Sequence, residues 1–418
     1  MHKPGPSSRS TGNVLLHGAR CALGPQEPTS ASIGIVAGRV ANIFNDSESS
    51  DSVRTGLEGI DLGGYLVMPG LINAHDHLQF ALFPRLADPP YGNYVDWGRD
   101  IHAKFPDVIA KHRSVPKDVR LSWGGIRNLL CGVTTVCHHD ALWPELTRKD
   151  FPIRVVQDYG WGHSLALGGD LLRARSYTPD GKAFILHACE GVDEQAHAEF
   201  HELNRLGLLN ERTVLVHGMA IDDEGVEILK QRHTSLIICP SSNQFLYRKL
   251  PDLALLGTIE NIALGNDSPL TANGDLLDEI RFASRSCAIH PNAMYHMVTE
   301  APGRVLRLED GEGSIMVTGV GDVMAVRDTG ETAATRLVDF SMRDVEFVMV
   351  GGCVQLASEA IMERLPFSVV QDLEALWIDG TIRWLRAPVK ELLLKAEEVL
   401  GKGEVRLGGK PVRIPIWR

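Results

Sequence analysis

Four short segments end in side chains able to hold a metal ion or move a proton. In PGLINAHDHLQF, His75 and His77 stand two apart. On a strand, positions i and i+2 face the same way, so both imidazoles can reach one ion inside a barrel. In FILHACEGVDE, His187 closes an apolar run and Glu190 follows three residues later, past the expected strand end on a loop. That spacing offers a ligand and a nearby carboxylate that can shuttle protons. His217 in TVLVHG and Asp267 in IALGNDS also end apolar runs. Taken singly, each has a bland explanation: a surface pair, a helix-start carboxylate, a hydrogen-bonded core histidine, an N-D-S turn. Four different βα units ending in the order H-x-H, H-x-x-E, H and D make coincidence a poor account.

Other patterns carry less. His138 and His139 are adjacent, so they face opposite sides of a strand and at most one points inward. His197 and His201 are i, i+4 amid glutamates, in the order HAEFH rather than H-E-x-x-H, which predicts a solvated helix face. GHSLA at 162–166 lacks the second glycine of a nucleophile elbow, and no phosphate-binding G-x-x-x-x-G-K-[ST] occurs.

The elements that must position these residues fall into three zones. Residues 1–68 hold short apolar runs with turns, including a hairpin tip expected at Gly38–Arg39. Their first twelve residues are polar and read as a disordered lead-in without a secretory h-region. Residues 69–309 alternate β-branched runs (132–140, 153–160, 183–190, 213–220, 235–243, 261–268) with helical spacings such as VDEQAHAEFHELNRLG and DDEGVEILKQR. Strand then helix, repeated over a length near the ~250 residues of eight βα units, predicts a (β/α)8 barrel. Residues 310–418 return to strands in SIMVTG, DVMAVRD and VEFVMVGGCVQLAS, then give a helix in PVKELLLKAEEVLGKG. The outer zones are expected to pair as one β-domain bracketing the barrel.

The chain has 418 residues, 42 basic and 53 acidic, for a net charge of −11. That charge repels a phosphate backbone, so nucleic acid is an unsuitable partner. Seven scattered cysteines with no C-x-x-C suit a reducing compartment, and no run of 18 apolar residues predicts a spanning helix. A cytoplasmic location follows as the expectation, with no membrane partner and homo-oligomerisation left open.

As an ordered set, PGLINAHDH, GVTTV, LHACEG, LVHGMAIDDEG, CPSSN, LGNDS, MVTEAPGRVLRL and GDVMAV resemble the amidohydrolase superfamily, in its branch of metal-dependent deaminases and chlorohydrolases. The likeness covers roughly residues 13–360. It implies a distorted (β/α)8 barrel with a β-sandwich built from both chain ends. It also implies one divalent metal, zinc or iron(II), on His75, His77, His187 and Asp267. Glu190 and His217 would then act on substrate and water, with Asp267 orienting that water or taking its proton. The implied reaction is hydrolysis of a non-peptide carbon–nitrogen bond, foremost deamination of a nitrogen heterocycle.

Two departures from the family pattern stand out. Only about 22 residues separate the third run from the run at 183, which predicts an abbreviated unit or an irregular strand. No lysine ends a strand before His187, and Lys182 precedes its strand, which favours one metal over a bridged pair. Trp97, His163 and Asn243 are the candidate substrate contacts. Phe80, Phe83, Trp143, Trp161 and Phe245 could add stacking surface for a flat ring, although core packing accounts for such aromatics equally well. Two other functions remain open: a hydrolase of cyclic amides or of a ring-bound halide or amine, and a metal-stabilised scaffold without catalysis.

Overall fold

The computed structural model describes residues 13–45, 56–167 and 169–416; the polar lead-in at 1–12 lies outside them. Eight parallel strands carry the candidate site. They are β6 (Leu71–Asp76), β7 (Val133–His138), β8 (Arg154–Val155), β9 (Gly160–Trp161), β10 (Phe184–Ala188), β11 (Thr213–His217), β12 (Ser235–Ile238) and β13 (Ile262–Leu264). They form one sheet of five, ordered β13-β12-β11-β10-β9, and one of three, ordered β6-β7-β8. The sheets meet where the amides of Asn266 and Asp267, just past β13, donate to the His75 carbonyl at 3.0 Å each.

These strands are apolar on both faces, as a parallel sheet covered by helices requires. Ile72, Ile185, Val214, Val216, Ile237 and Ala263 pack together in the interior, while Leu186, Leu215, Leu236 and Leu264 pack outward. The helices start where short polar side chains cap them. Asp193 accepts from the Ala196 amide ahead of Glu194–Arg205, and Asp222 from the Gly225 amide ahead of Asp223–Arg232, each at 2.9 Å. The short stretch expected between the run at 153–160 and the run at 183 holds only the six-residue helix Leu171–Ser176, and the run at 153–160 itself divides into β8 and the start of β9. They belong to different sheets, and no helix lies between Val155 and Gly160.

Strands from both chain ends join one twelve-stranded sheet. The first five are β1 (Val14–Cys21), β2 (Thr29–Val36), β3 (Arg39–Asn45), β4 (Glu58–Asp61) and β5 (Tyr65–Pro69). The last seven are β14 (Val323–Arg327), β15 (Val345–Val350), β16 (Cys353–Ala357), β17 (Glu374–Ile378), β18 (Thr381–Leu385), β19 (Arg406–Leu407) and β20 (Lys410–Arg413). Antiparallel pairing of β5 with β14 ties the two groups together.

Three local expectations are corrected. The β2–β3 turn sits at Ala37–Gly38, one residue early, because both positions take positive φ, +49° and +81°. The run at 235–243 is a strand only to Ile238; Pro240 then opens the helix Pro240–Tyr247, since proline suits a first helical turn. SIMVTG is not a strand. Positive-φ Gly311 and Gly313 turn the chain just before it and Thr318 within it, and the one bridge nearby, between Arg39 and Val320, falls past its end.

Candidate active site

The strand ends bring four predicted ligand groups together. His187 Nε2 lies 3.2 Å from His75 Nε2 and 3.3 Å from His77 Nε2. Asp267 Oδ1 lies 3.8 Å from His75 Nε2 and 3.6 Å from His77 Nε2. A tetrahedral ion with metal–nitrogen bonds of about 2.0–2.1 Å sets its ligand nitrogens roughly 3.3–3.4 Å apart. The two separations from His187 match that edge, and all three nitrogens lie within 4.8 Å of one another. Burial, with neighbouring histidines adding to it, holds His75 and His187 well below the ordinary imidazole range, so both are neutral donors. The His163 carbonyl accepts from His187 Nδ1 at 2.8 Å, which leaves the His187 Nε2 lone pair for an ion. The donor set therefore fits a divalent cation.

Asp267 has a carboxyl that burial alone would raise. His217, His77 and hydrogen bonds from Ser242 and Ser268 outweigh that and hold it below the usual carboxylate range. Ser242 Oγ donates to Oδ2 at 2.7 Å, and Thr271 Oγ1 lies 3.2 Å from the same oxygen.

Glu190 and His217 face each other. Glu190 Oε2 is 3.4 Å from His217 Nε2, and Tyr247 donates its hydroxyl to Glu190 Oε1 at 3.0 Å. Burial foremost, then Asp267, raises the Glu190 carboxyl well above its usual range. Glu190 lies past the end of β10, as expected, but is only 6 % exposed, because Tyr247 and the turn at Cys189, φ +54°, fold it inward. Asn243 Nδ2 donates to His217 Nδ1 at 3.1 Å, so the proton of the neutral ring sits on Nε2. Burial lowers His217 to about 4. Strict alternation would send His217 outward beside Leu215. Its φ of +78° breaks that alternation, and the ring lines the central cavity. Positive φ at Cys189, His217 and Asp267 concentrates backbone strain at these strand ends.

Of the candidate substrate contacts, Trp97 and His163 line this cavity. Asn243 lies outside its lining, fully buried against His217. Phe80 and Phe83 line it as well. Trp143 instead stacks under Lys117, Phe245 under Arg85, and Trp161 lies against His139.

Several participants escaped sequence reasoning. His139 sits among the histidines, its ring 4.1 Å from that of His187 and its Nε2 3.2 Å from the Gly162 carbonyl. His138 faces the other way, its Nδ1 accepting from the Leu78 amide. Tyr247 gave no signal, because nothing in its helix spacing points to Glu190. Asp76, between the two histidines of H-x-H, is bound by Arg127 at 2.6 and 2.7 Å and by Asn128 at 2.7 Å. Glu199 accepts from the Cys189 amide at 2.7 Å and so holds the turn that carries Glu190. His197 and His201 are exposed, as expected.

Three histidines and a carboxylate gathered at the strand ends of a TIM-barrel-like α/β fold are an arrangement suited to metal-dependent hydrolysis. The amidohydrolase family model matches residues 180–354. The chain is 28 % identical to a 5-methylthioadenosine/S-adenosylhomocysteine deaminase of Pyrococcus furiosus over 370 residues, covering 70 % of this chain and 84 % of that one. It is 26 % identical to a 5'-deoxyadenosine deaminase of Methanothrix thermoacetophila over 335 residues, covering 66 % and 77 %. Among solved structures, an adenosine deaminase from Xanthomonas campestris with bound zinc aligns at a TM-score of 0.66, 17 % identity and 93 % and 97 % coverage. Atrazine chlorohydrolase from Arthrobacter aurescens, also with zinc, aligns at 0.69, 14 % identity and 92 % and 99 % coverage. The resemblance to the amidohydrolase superfamily read from the motifs is borne out, and with it a hydrolytic enzyme using a divalent metal.

Proposed function

We propose that the protein is a zinc-dependent deaminase that hydrolyses an exocyclic carbon–nitrogen bond of an amino heterocycle. One observation carries the reading: a carboxyl and an imidazole, Glu190 and His217, face the same cavity as the ligand set without belonging to it. A purely structural cation needs neither. The relatives named as deaminases support the same chemistry.

His75, His77, His187 and Asp267 would hold a divalent cation, which would supply Lewis acidity to activate a water near neutral pH. Asp267 takes a proton from the attacking water, and its two hydroxyl neighbours steady it. His217 donates from Nε2 toward the developing charge at the attacked carbon, with Asn243 fixing the tautomer. Glu190 carries its proton on Oε2, because Tyr247 occupies Oε1. It gives that proton to the ring nitrogen, takes up the proton of the added hydroxyl and passes it to the leaving amine, and is restored by the proton that Asp267 took from the water. Water oxygen bonds to carbon, the carbon–nitrogen bond breaks, and ammonia leaves with an oxo heterocycle behind.

The wider architecture is read as a closed barrel over 69–309 with a β-sandwich from 1–68 and 310–418, and the site as holding one ion. None of the seven cysteines is in a disulfide, which suits a cytoplasmic enzyme. The test is ammonia release from a panel of amino purines, pyrimidines, pterins and triazines. Activity should vanish after chelation and return with zinc. Ring opening without ammonia, or turnover indifferent to the chelator, would reject the reading.

A further inference from the structure

The reactive groups of the cavity are buried and stand on strand ends or the turns that follow them: His187, Glu190, His217 and Asp267. Two other lining residues, His102 and Arg113, are exposed, so they stand where the cavity opens to solvent. They come from the helices Tyr94–Lys104 and Pro106–Arg113, which carry none of the reactive groups. A substrate with its amine at the buried end therefore presents its far side to these two residues.

Arg113 is the one arginine or lysine lining the cavity, and it makes no ion pair or hydrogen bond with the described residues. Of the two carboxyl groups on the lining, burial holds Glu190 well above the carboxylate range, and Asp267 belongs to the ligand set. Neither is left to balance a guanidinium. Arg120 adds to the imbalance. It is buried, donates from Nε and Nη1 to the carbonyls of Val115 and Gln79 at 3.0 and 2.8 Å, and has no acidic partner among the described residues either. Burial, then the charge of the nearby Arg113, pushes the Arg120 guanidinium below its usual range. Two like charges held close without an acid are relieved by an anion. His102 donates from Nδ1 to the Gly98 carbonyl at 2.8 Å, which leaves Nε2 for a ligand. A cation at the end of a helix also suits the helix dipole, yet Lys111 in the same turn does that without lining the cavity.

We propose that the substrate is an amino heterocycle bearing an oxyanion, carboxylate or phosphate, on the side away from its amine, and that Arg113 selects it, with His102 as a second contact at the opening. The inference rests on the deaminase reading and names the substrate class of that site. A guanidinium meets either oxyanion through two parallel N–H···O bonds.

The experiment uses the zinc-loaded enzyme. Each ring of the ammonia panel (purine, pyrimidine, pterin and triazine) is offered with a carboxymethyl, a phosphonomethyl or a carbamoylmethyl substituent. The carboxamide keeps the shape of the carboxylate and removes its charge. Turnover is read as kcat/KM for ammonia release, and compounds that do not turn over are titrated by calorimetry. An acid form should exceed the carboxamide about five- to tenfold, chiefly through KM, as a charge contact at an exposed site allows. The leading acid, carboxymethyl or phosphonomethyl, identifies which oxyanion the site takes. Arg113→Gln should cost the acid forms about fivefold more than the carboxamide, Arg113→Lys should restore part of the difference, and the preference should shrink at high salt. Equal handling of acid and carboxamide, or a preference that survives Arg113→Gln, overturns the inference and leaves the deaminase reading standing. Acid-selective binding that depends on Arg113, without ammonia from any ring, supports the oxyanion site and counts against the deaminase reading. Neither ammonia nor acid-selective binding overturns the inference.

Discussion

Replacing Glu190 by Gln separates proton transfer from metal binding. The carboxyl sits between the Tyr247 hydroxyl at 3.0 Å and His217 Nε2 at 3.4 Å, buried, and makes no ligand contact in the His75–His77–His187 cluster. Glutamine keeps the volume and still accepts from Tyr247 on its carbonyl, but it cannot exchange a proton with the ring nitrogen or the amine. Positioned acid–base groups contribute about 10²–10⁴ in rate, or roughly 3–5 kcal/mol of barrier. Turnover should fall by that factor while bound metal stays at the parent level. Stability should hold within about 0.5 kcal/mol, because a neutral isostere replaces a carboxyl that burial already disfavours as an anion. The assay is kcat for ammonia release, bound metal and thermal melting on one preparation. Turnover within a few-fold of the parent would remove Glu190 from the mechanism. Loss of metal together with activity would make it part of the ion's support instead.

Further outcomes follow from neighbouring contacts. Tyr247→Phe removes the donor to Glu190 Oε1 and should lower kcat about tenfold, at a stability loss of about 1 kcal/mol, with metal retained; elemental analysis beside kinetics checks it. Arg127→Met leaves Asp76 as a buried, unpaired charge between His75 and His77; it should cost about 3–5 kcal/mol in denaturant unfolding and weaken metal retention on dialysis. Glu279 is pushed by burial from 4.5 up to about 8, against the hydrogen bonds from Ser241. Its folded pKa lies above its unfolded one, so its contribution is full below about 4.5 and is lost as pH rises through about 8. Glu279→Gln should lack that decline, so the melting temperature of the parent should fall relative to the variant between pH 5 and about 8.5. A constant difference across that window would refute it.

The chain order of ligand types was legible because parallel strands expose function at their carboxyl ends, and a run ending in His or Asp is visible in one dimension. The apolar runs likewise placed the strand carrying His187 and the helices at Glu194–Arg205 and Asp223–Arg232 within a few residues. What stayed hidden depends on backbone dihedrals or long-range contacts. His217 faces the cavity only through its positive φ, which alternation cannot foresee. Tyr247 lies 57 positions from Glu190, and Asn128 lies 52 from Asp76. SIMVTG has the apolar content of a strand, but the turns on either side win. The division of the run at 153–160 into β8 and β9 gave no sign, since the shortage of residues lay after it, before the run at 183.

The central claim is hydrolytic deamination at the His75–His77–His187–Asp267 site. Its most direct test runs the zinc-loaded enzyme with the amino heterocycle that the ammonia panel identifies in ¹⁸O-labelled water, and follows product mass and ammonia together. The account predicts one ¹⁸O at the carbon that lost its amine and one ammonia per turnover, with both signals abolished in His187→Ala. Unlabelled product, a ring-opened product, or undiminished activity in His187→Ala would contradict it.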